Sequence, residues 1–181
     1  MMDEDDDILK DVTLAIDLII RATKNISHDY FIPSLRNVEP LYRERVYCYE
    51  LYHQMRNEMD RTNFSAHYVI NGELDKASTG IDMTLKPDFI FHVPGEYEHN
   101  LIAMEVKRAP QLKMVSLRKD ISKLNKLMDD LSYKKGIMLI FGGMNVLTRS
   151  FIEGNRSSRV LFLHHLSPSG PAATEPENLI P

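Results

Sequence analysis

The stretch KPDFIFHVPGEYEHNLIAMEVKR, residues 86–108, constrains this chain more than any other. Two short apolar runs, Phe89–Val93 and Leu101–Val106, flank a polar segment containing Pro94-Gly95, a pattern that predicts a β-hairpin. Asp88 opens the first run, and Glu105 and Lys107 close the second. Strand side chains alternate with a period of two. Leu101, Ala103, Glu105 and Lys107 therefore share one face, and Ile102, Met104 and Val106 the other. Both faces are apolar up to Ala103, which predicts a strand buried on both sides. A carboxylate and an ammonium at the end of such a strand are costly unless paired or ligated. Fold stability alone does not ask for them there.

An Asp that starts a strand and a surface Glu–Lys pair near a strand end is one account, since Glu-x-Lys taken alone is a common tripeptide. The whole constellation supports another. If the two strands pair antiparallel, the start of the first lies beside the end of the second. Asp88, Glu105 and Lys107 then converge at one edge of the sheet. Two carboxylates with a backbone carbonyl between them make a hard, oxygen-rich site suited to Mg²⁺. A lysine beside it can orient a water or help deprotonate it.

Pro87-Asp88 followed by Glu105-Val106-Lys107 resembles the PD-(D/E)xK nuclease superfamily, which shares the restriction-endonuclease-like fold. The resemblance implies a Mg²⁺ (or Mn²⁺) held by Asp88, Glu105 and the Val106 carbonyl, with Lys107 activating the attacking water. Many members carry a glutamate on the helix before the first strand, and Glu44-Arg45-Val46 is similar to that context. Glu44 would then complete the shell directly or through water. The helix after the catalytic strand often carries an accessory Lys or Gln, for which Lys123 is the candidate. The family reaction implies DNA as substrate and leaves a 5′-phosphate and a 3′-hydroxyl.

With 181 residues, 43% hydrophobic and 27% charged, the chain suits one soluble domain with a sizeable core. Lys plus Arg number 22 against 26 Asp plus Glu, a net charge of −4, which speaks against coating nucleic acid through bulk charge. A local basic patch still serves a nuclease. The single cysteine, Cys48, forms no internal disulfide, and no Cys/His zinc spacing is present. Neither a signal-peptide pattern nor a membrane-length apolar run is visible, so a cytoplasmic protein without membrane partners is expected. The oligomeric state stays open, with a homodimer or a larger nuclease or defence-type complex as the candidates.

The N-terminal segment 1–39 reads as a helix over about 6–25, with the aspartates of Asp3–Asp7 at its N-terminus, then a loop over 26–39 whose Tyr30–Phe31 packs down. Pro40 suits the first turn of a second helix, about 40–61, with a seam of Leu41, Cys48, Leu51, Tyr52, Met55 and Met59. Glu44 falls inside that seam and Glu50 nearly opposite. Glu44 pairs either with Arg43 or Arg45, or with a metal site, and the resemblance selects the second. A first core strand is predicted at about 66–70 before the Asn71-Gly72 turn, followed by a loop in which Glu73 or Asp75 can add a carboxylate.

Met114–Leu131 has a helical seam of Leu117, Ile121, Leu124, Met128 and Leu131. Lys119, Lys123 and Lys126 lie on the opposite side, either as a solvated face or as phosphate contacts. A buried strand over Lys135–Phe141, a short helix around 145–153 and a last strand over Val160–His165 follow. His164 and His165 point to opposite faces of their strand and read as structural. Residues 1–166 thus form one α/β domain, a mixed central sheet flanked by helices, and 167–181 a flexible Pro-rich tail. Two functions are carried forward: a Mg²⁺-dependent nuclease, or an inactive protein of the same fold acting as an interaction or regulatory module.

Overall fold

The computed structural model describes residues 4–34, 36, 41–73, 85–155 and 159–174. Its elements run α1 (Glu4–Thr23), α2 (His28–Phe31), α3 (Glu44–Thr62), β1 (Val69–Gly72), β2 (Phe89–Val93), β3 (Glu96–Arg108) and α4 (Met114–Leu131). They continue with β4 (Lys135–Phe141), α5 (Val146–Gly154), β5 (Val160–His165) and β6 (Ala173–Thr174). The strands form one sheet in the order β1-β2-β3-β4-β5-β6. β1, β2 and β3 pair antiparallel, β3, β4 and β5 pair parallel, and β6 closes antiparallel on β5. This is the α/β class expected, a mixed sheet flanked by helices.

Alternation along the strands feeds two apolar layers. On one face Phe91, Met104, Val106 and Leu139 pack with Leu18, Ile19, Leu51 and Met55 of α1 and α3. On the other, Ala103, Met138, Ile140 and Phe162 pack with Leu117, Leu124 and Met128 of α4 and Ile152 of α5. Burying one such side chain is worth about 1.5–3 kcal/mol. Packing on the sheet, more than intrinsic helix propensity, therefore holds the helices. Among the described residues no helix is long and apolar enough to cross a membrane.

Several boundaries depart from the sequence reading. Residues 96–100 belong to β3, because Pro94-Gly95 alone closes the turn: Val93 pairs with Glu96, and Gly95 takes the φ of +85° that such a turn requires. Leu101 is skipped between the pairs Phe91↔Ile102 and His92↔Asn100, and it packs in the same layer as Ile102 rather than with Ala103. This bulge breaks the strict alternation. The first strand begins at Val69, since Phe64–Ala66 forms a 3₁₀ turn that stacks Phe64 on Tyr68. Within the expected loop 26–39, α2 buries Phe31 against Tyr47, Phe141 and His165 while Tyr30 stays exposed.

Residues 169–174, within the expected tail, are tied to the domain. The Ser169 amide donates to the Ile26 carbonyl at 2.9 Å, the Ala172 amide donates to Thr23 Oγ1 at 2.7 Å, and β6 pairs with β5. These ties are made by backbone groups and one threonine hydroxyl, which leave no mark in an apolar pattern. Residues 175–181, Pro40 and Asp75 lie outside the described residues.

Candidate active site

The register Phe89↔Met104, carried one step further, sets Asp88 beside Glu105. Asp88 Oδ2 accepts a hydrogen bond from the Val106 amide at 2.7 Å, joining the start of β2 to the end of β3. The place is the strand-end rim of two interior strands, not the side of an outermost one. From that rim Lys107 Nζ lies 3.3 Å from Glu105 Oε2 and 3.5 Å from Asp120 Oδ2. Its distance to both Asp88 Oδ2 and Glu44 Oε1 is 4.0 Å. One ammonium thus meets carboxylates from α3, the start of β2, β3 and α4.

Lys123 forms a second cationic contact. Its ammonium touches Glu105 Oε1, lies 4.0 Å from Asp120 Oδ1 and donates to the Lys86 carbonyl at 3.0 Å. The sequence pattern sets Lys123 with Lys119 and Lys126 opposite the α4 seam. In the fold it turns inward, while Lys119 is exposed and Lys126 half-buried. Four carboxylates (Glu44, Asp88, Glu105, Asp120) thus face two ammoniums, and the Arg108 guanidinium adds positive charge on the Glu44 side. Burial, then the Asp88 charge, pushes the Glu105 carboxyl up to about 7 against the pull of Lys123 and Lys107. Burial pulls Lys107 down, but Glu105, Asp88, Glu44 and Asp120 together hold it above the ordinary lysine range. It is an ammonium at neutral pH. Glu44 is raised too, first by burial and then by Asp88, with Lys107 opposing.

Helix phase accounts for Glu44 and Glu50. Glu44 opens α3 and reaches Lys107, whereas Glu50 accepts from Gln54 at 2.6 Å. Arg45, the alternative partner for Glu44, pairs with Glu73 at 3.6 Å instead. Glu73 stands at φ +47°, and its amide donates to the Asp88 carbonyl at 3.1 Å. His164 and His165 lie apart from the site: His164 Nε2 bonds the Gly142 carbonyl and His165 Nδ1 the Tyr47 hydroxyl.

Asp120 is the site residue that sequence reading missed. The signal was present, because Asp120 falls three residues after Leu117 and four before Leu124, inside the apolar seam. A buried carboxylate on such a stripe needs cations, and here it has Lys107 and Lys123.

Among the described residues, no three His, Cys, Asp or Glu side chains already stand together as a metal cage, and the lysine ammoniums lie among the carboxylates instead. Carboxylate oxygens are the donor type that a hard divalent cation takes, and of the four side chains Glu44 and Asp88 are the ones open to solvent. Cys48, the one soft donor nearby, has its thiol pushed up by burial and by Asp88 and Glu44, so it stays protonated.

Glu44 and Asp88 also line a cleft of about 740 Å³, together with Arg45, Cys48, Tyr49, Tyr52, Asn71, Gly72, Glu73 and Phe89. Comparison of the chain with protein-family models, with curated proteins and with solved structures returns no match.

Proposed function

We propose that this protein is a Mg²⁺-dependent nuclease of restriction-endonuclease-like fold that hydrolyses phosphodiester bonds, with DNA as the substrate class. The observation that carries this reading is the ring of four carboxylates within 4.0 Å of the Lys107 ammonium, drawn from four places in the chain. The sequence α3-β1-β2-β3-α4-β4, antiparallel through β3 and parallel from β3 to β4, is similar to the core order of that fold.

Asp88, Glu105 and the Val106 carbonyl would hold Mg²⁺ or Mn²⁺, with Glu44 reaching it directly or through water. When bound, the cation supplies positive charge against the negative charge that develops on the phosphate. Lys107, kept protonated by its carboxylates, orients the attacking water by donation rather than by taking its proton. Glu44 is the most solvent-open of the four carboxylates, 39% exposed against 1% for Glu105, and where it reaches the cation through water it would accept that proton.

The test is calorimetric titration of Mn²⁺ beside a cleavage assay on single- and double-stranded DNA and RNA. Wild type is compared with Asp88→Ala and Lys107→Ala. Wild type is expected to bind Mn²⁺ and cut, Asp88→Ala to lose both, and Lys107→Ala to lose cutting alone. Cleavage that persists in both variants would mark a contaminant and remove the reading.

A second reading rests on one observation: both Glu105 oxygens are already met by lysines, Lys107 on Oε2 and Lys123 on Oε1. Such a network can serve the fold without a cation, leaving a non-catalytic interaction or regulatory module. Absence of any cleavage, with or without Mn²⁺ binding, favours it.

A further inference from the structure

We infer that the cleft beside Glu44 and Asp88 takes an unpaired nucleobase next to the scissile phosphate, stacked on Tyr49, so that the substrate is single-stranded nucleic acid. This inference rests on the nuclease reading and names the substrate form.

The cleft is built by two walls. Arg45, Cys48, Tyr49 and Tyr52 recur at helical spacing and form one stripe of α3. Asn71, Gly72 and Glu73 at the end of β1, with Asp88 and Phe89, form the other. The Tyr52 ring stacks on Phe89, centroids 6.3 Å apart and planes 11° apart, which spends both rings on each other. Tyr49 is spent on nothing of the kind among the described residues: it lines the same cleft with 67% of its surface in solvent. Gly72 adds no side chain over the Phe89 ring, where a Cβ would touch the ring at 3.6 Å.

Charge decides what enters. Among the described residues of the lining, Glu44, Glu73 and Asp88 outnumber Arg45. Arg45 is paired with Glu73, so the described lining offers a phosphate no uncommitted cation, whereas an aromatic face attracts a neutral planar base. The cleft is continuous with the carboxylate site through Glu44 and Asp88, so the base that enters neighbours the phosphate under attack. In a duplex, both faces of each base are covered by its neighbours. Only an unpaired or extruded base offers a free face to Tyr49.

The probe is a short single-stranded oligodeoxynucleotide carrying 2-aminopurine, titrated in Ca²⁺ against wild type, Tyr49→Ala and Tyr49→Phe, beside the duplex of the same sequence. Stacking is expected to quench the probe on wild type and on Tyr49→Phe. Tyr49→Ala should abolish the quench and weaken single-strand binding about five- to a hundredfold, the range that base–aromatic stacking spans. Duplex binding should not change. If wild type cuts while Tyr49→Ala leaves affinity and quench untouched, or cuts with duplex preferred throughout, the inference falls and the nuclease reading stands. If wild type neither binds nor cuts any strand offered with Mg²⁺ or Mn²⁺, both fall.

Discussion

Asp88 Oδ2 accepts the Val106 amide at 2.7 Å, and that bond holds the amide lying between Glu105 and Lys107 in the chain. The residue that opens β2 therefore fixes the backbone from which the buried carboxylate and the central ammonium project. Its carboxylate does two jobs, one for the fold and one in the charge cluster.

The two jobs separate by substitution. Asp88→Ala leaves the Val106 amide without its acceptor and is expected to cost about 1–3 kcal/mol in urea unfolding. Asp88→Asn keeps an acceptor oxygen and should lie closer to wild type. Both should lose Mn²⁺ binding in calorimetry, since neither retains the anion.

Lys123→Met should destabilise the protein by about 1–3 kcal/mol at pH 8, because Glu105 Oε1 then lies buried without its cation. The loss should shrink at pH 6, where the Glu105 carboxyl carries its own proton more of the time. Urea midpoints at the two pH values measure this, and an equal loss at both would refute it.

Glu105 also sets a pH slope. The folded carboxyl holds its proton up to about 7, whereas an unfolded glutamate releases it near 4.5, so folding takes up a proton between those values. This contribution is full below about 4.5 and is lost as pH rises through about 7. In EDTA, wild type should lose stability between pH 5 and 8 relative to Glu105→Gln, whose side chain does not titrate.

His165 slopes the other way. Burial lowers its imidazole from 6.5 to about 4, and it stands neutral against the Tyr47 hydroxyl at 2.7 Å. The stability this provides is complete above the unfolded value of 6.5 and is lost as pH falls through the folded value of about 4. NMR should find the His165 ring signals unchanged from pH 8 to about 5. Acidification should lower the urea midpoint more in wild type than in His165→Phe.

Much of this was legible in the residues alone. The helical seam of α4, the continuous apolar run of β4 and the hairpin of β2 and β3 follow from spacings of two and 3.6 residues, which neighbours in the chain impose on one another. The expected α3 seam holds only in part: Leu51, Met55 and Met59 are buried, but the helix starts at Glu44, Leu41 lies exposed before it, and Tyr47 fills the core. Strand phase also brings Asp88, Glu105 and Lys107 to one rim, and helix phase brings Glu44 there and sends Glu50 away.

Other features depended on contacts between distant segments. The tail's pairing to β5 and the Thr23–Ala172 bond use backbone and hydroxyl groups that any composition supplies. Lys123 sits in a lysine stripe that periodicity assigns to solvent, yet its long side chain bends to the buried Glu105 once α4 lies across the end of β3. Asp120 was visible as a misfit in its seam, but its partners were not. Sequence by itself determined which side chains share a face, because backbone geometry is local. Only the tertiary structure decided which charges share a cluster, because a buried carboxylate takes whichever cation the packing of sheet and helix delivers to it.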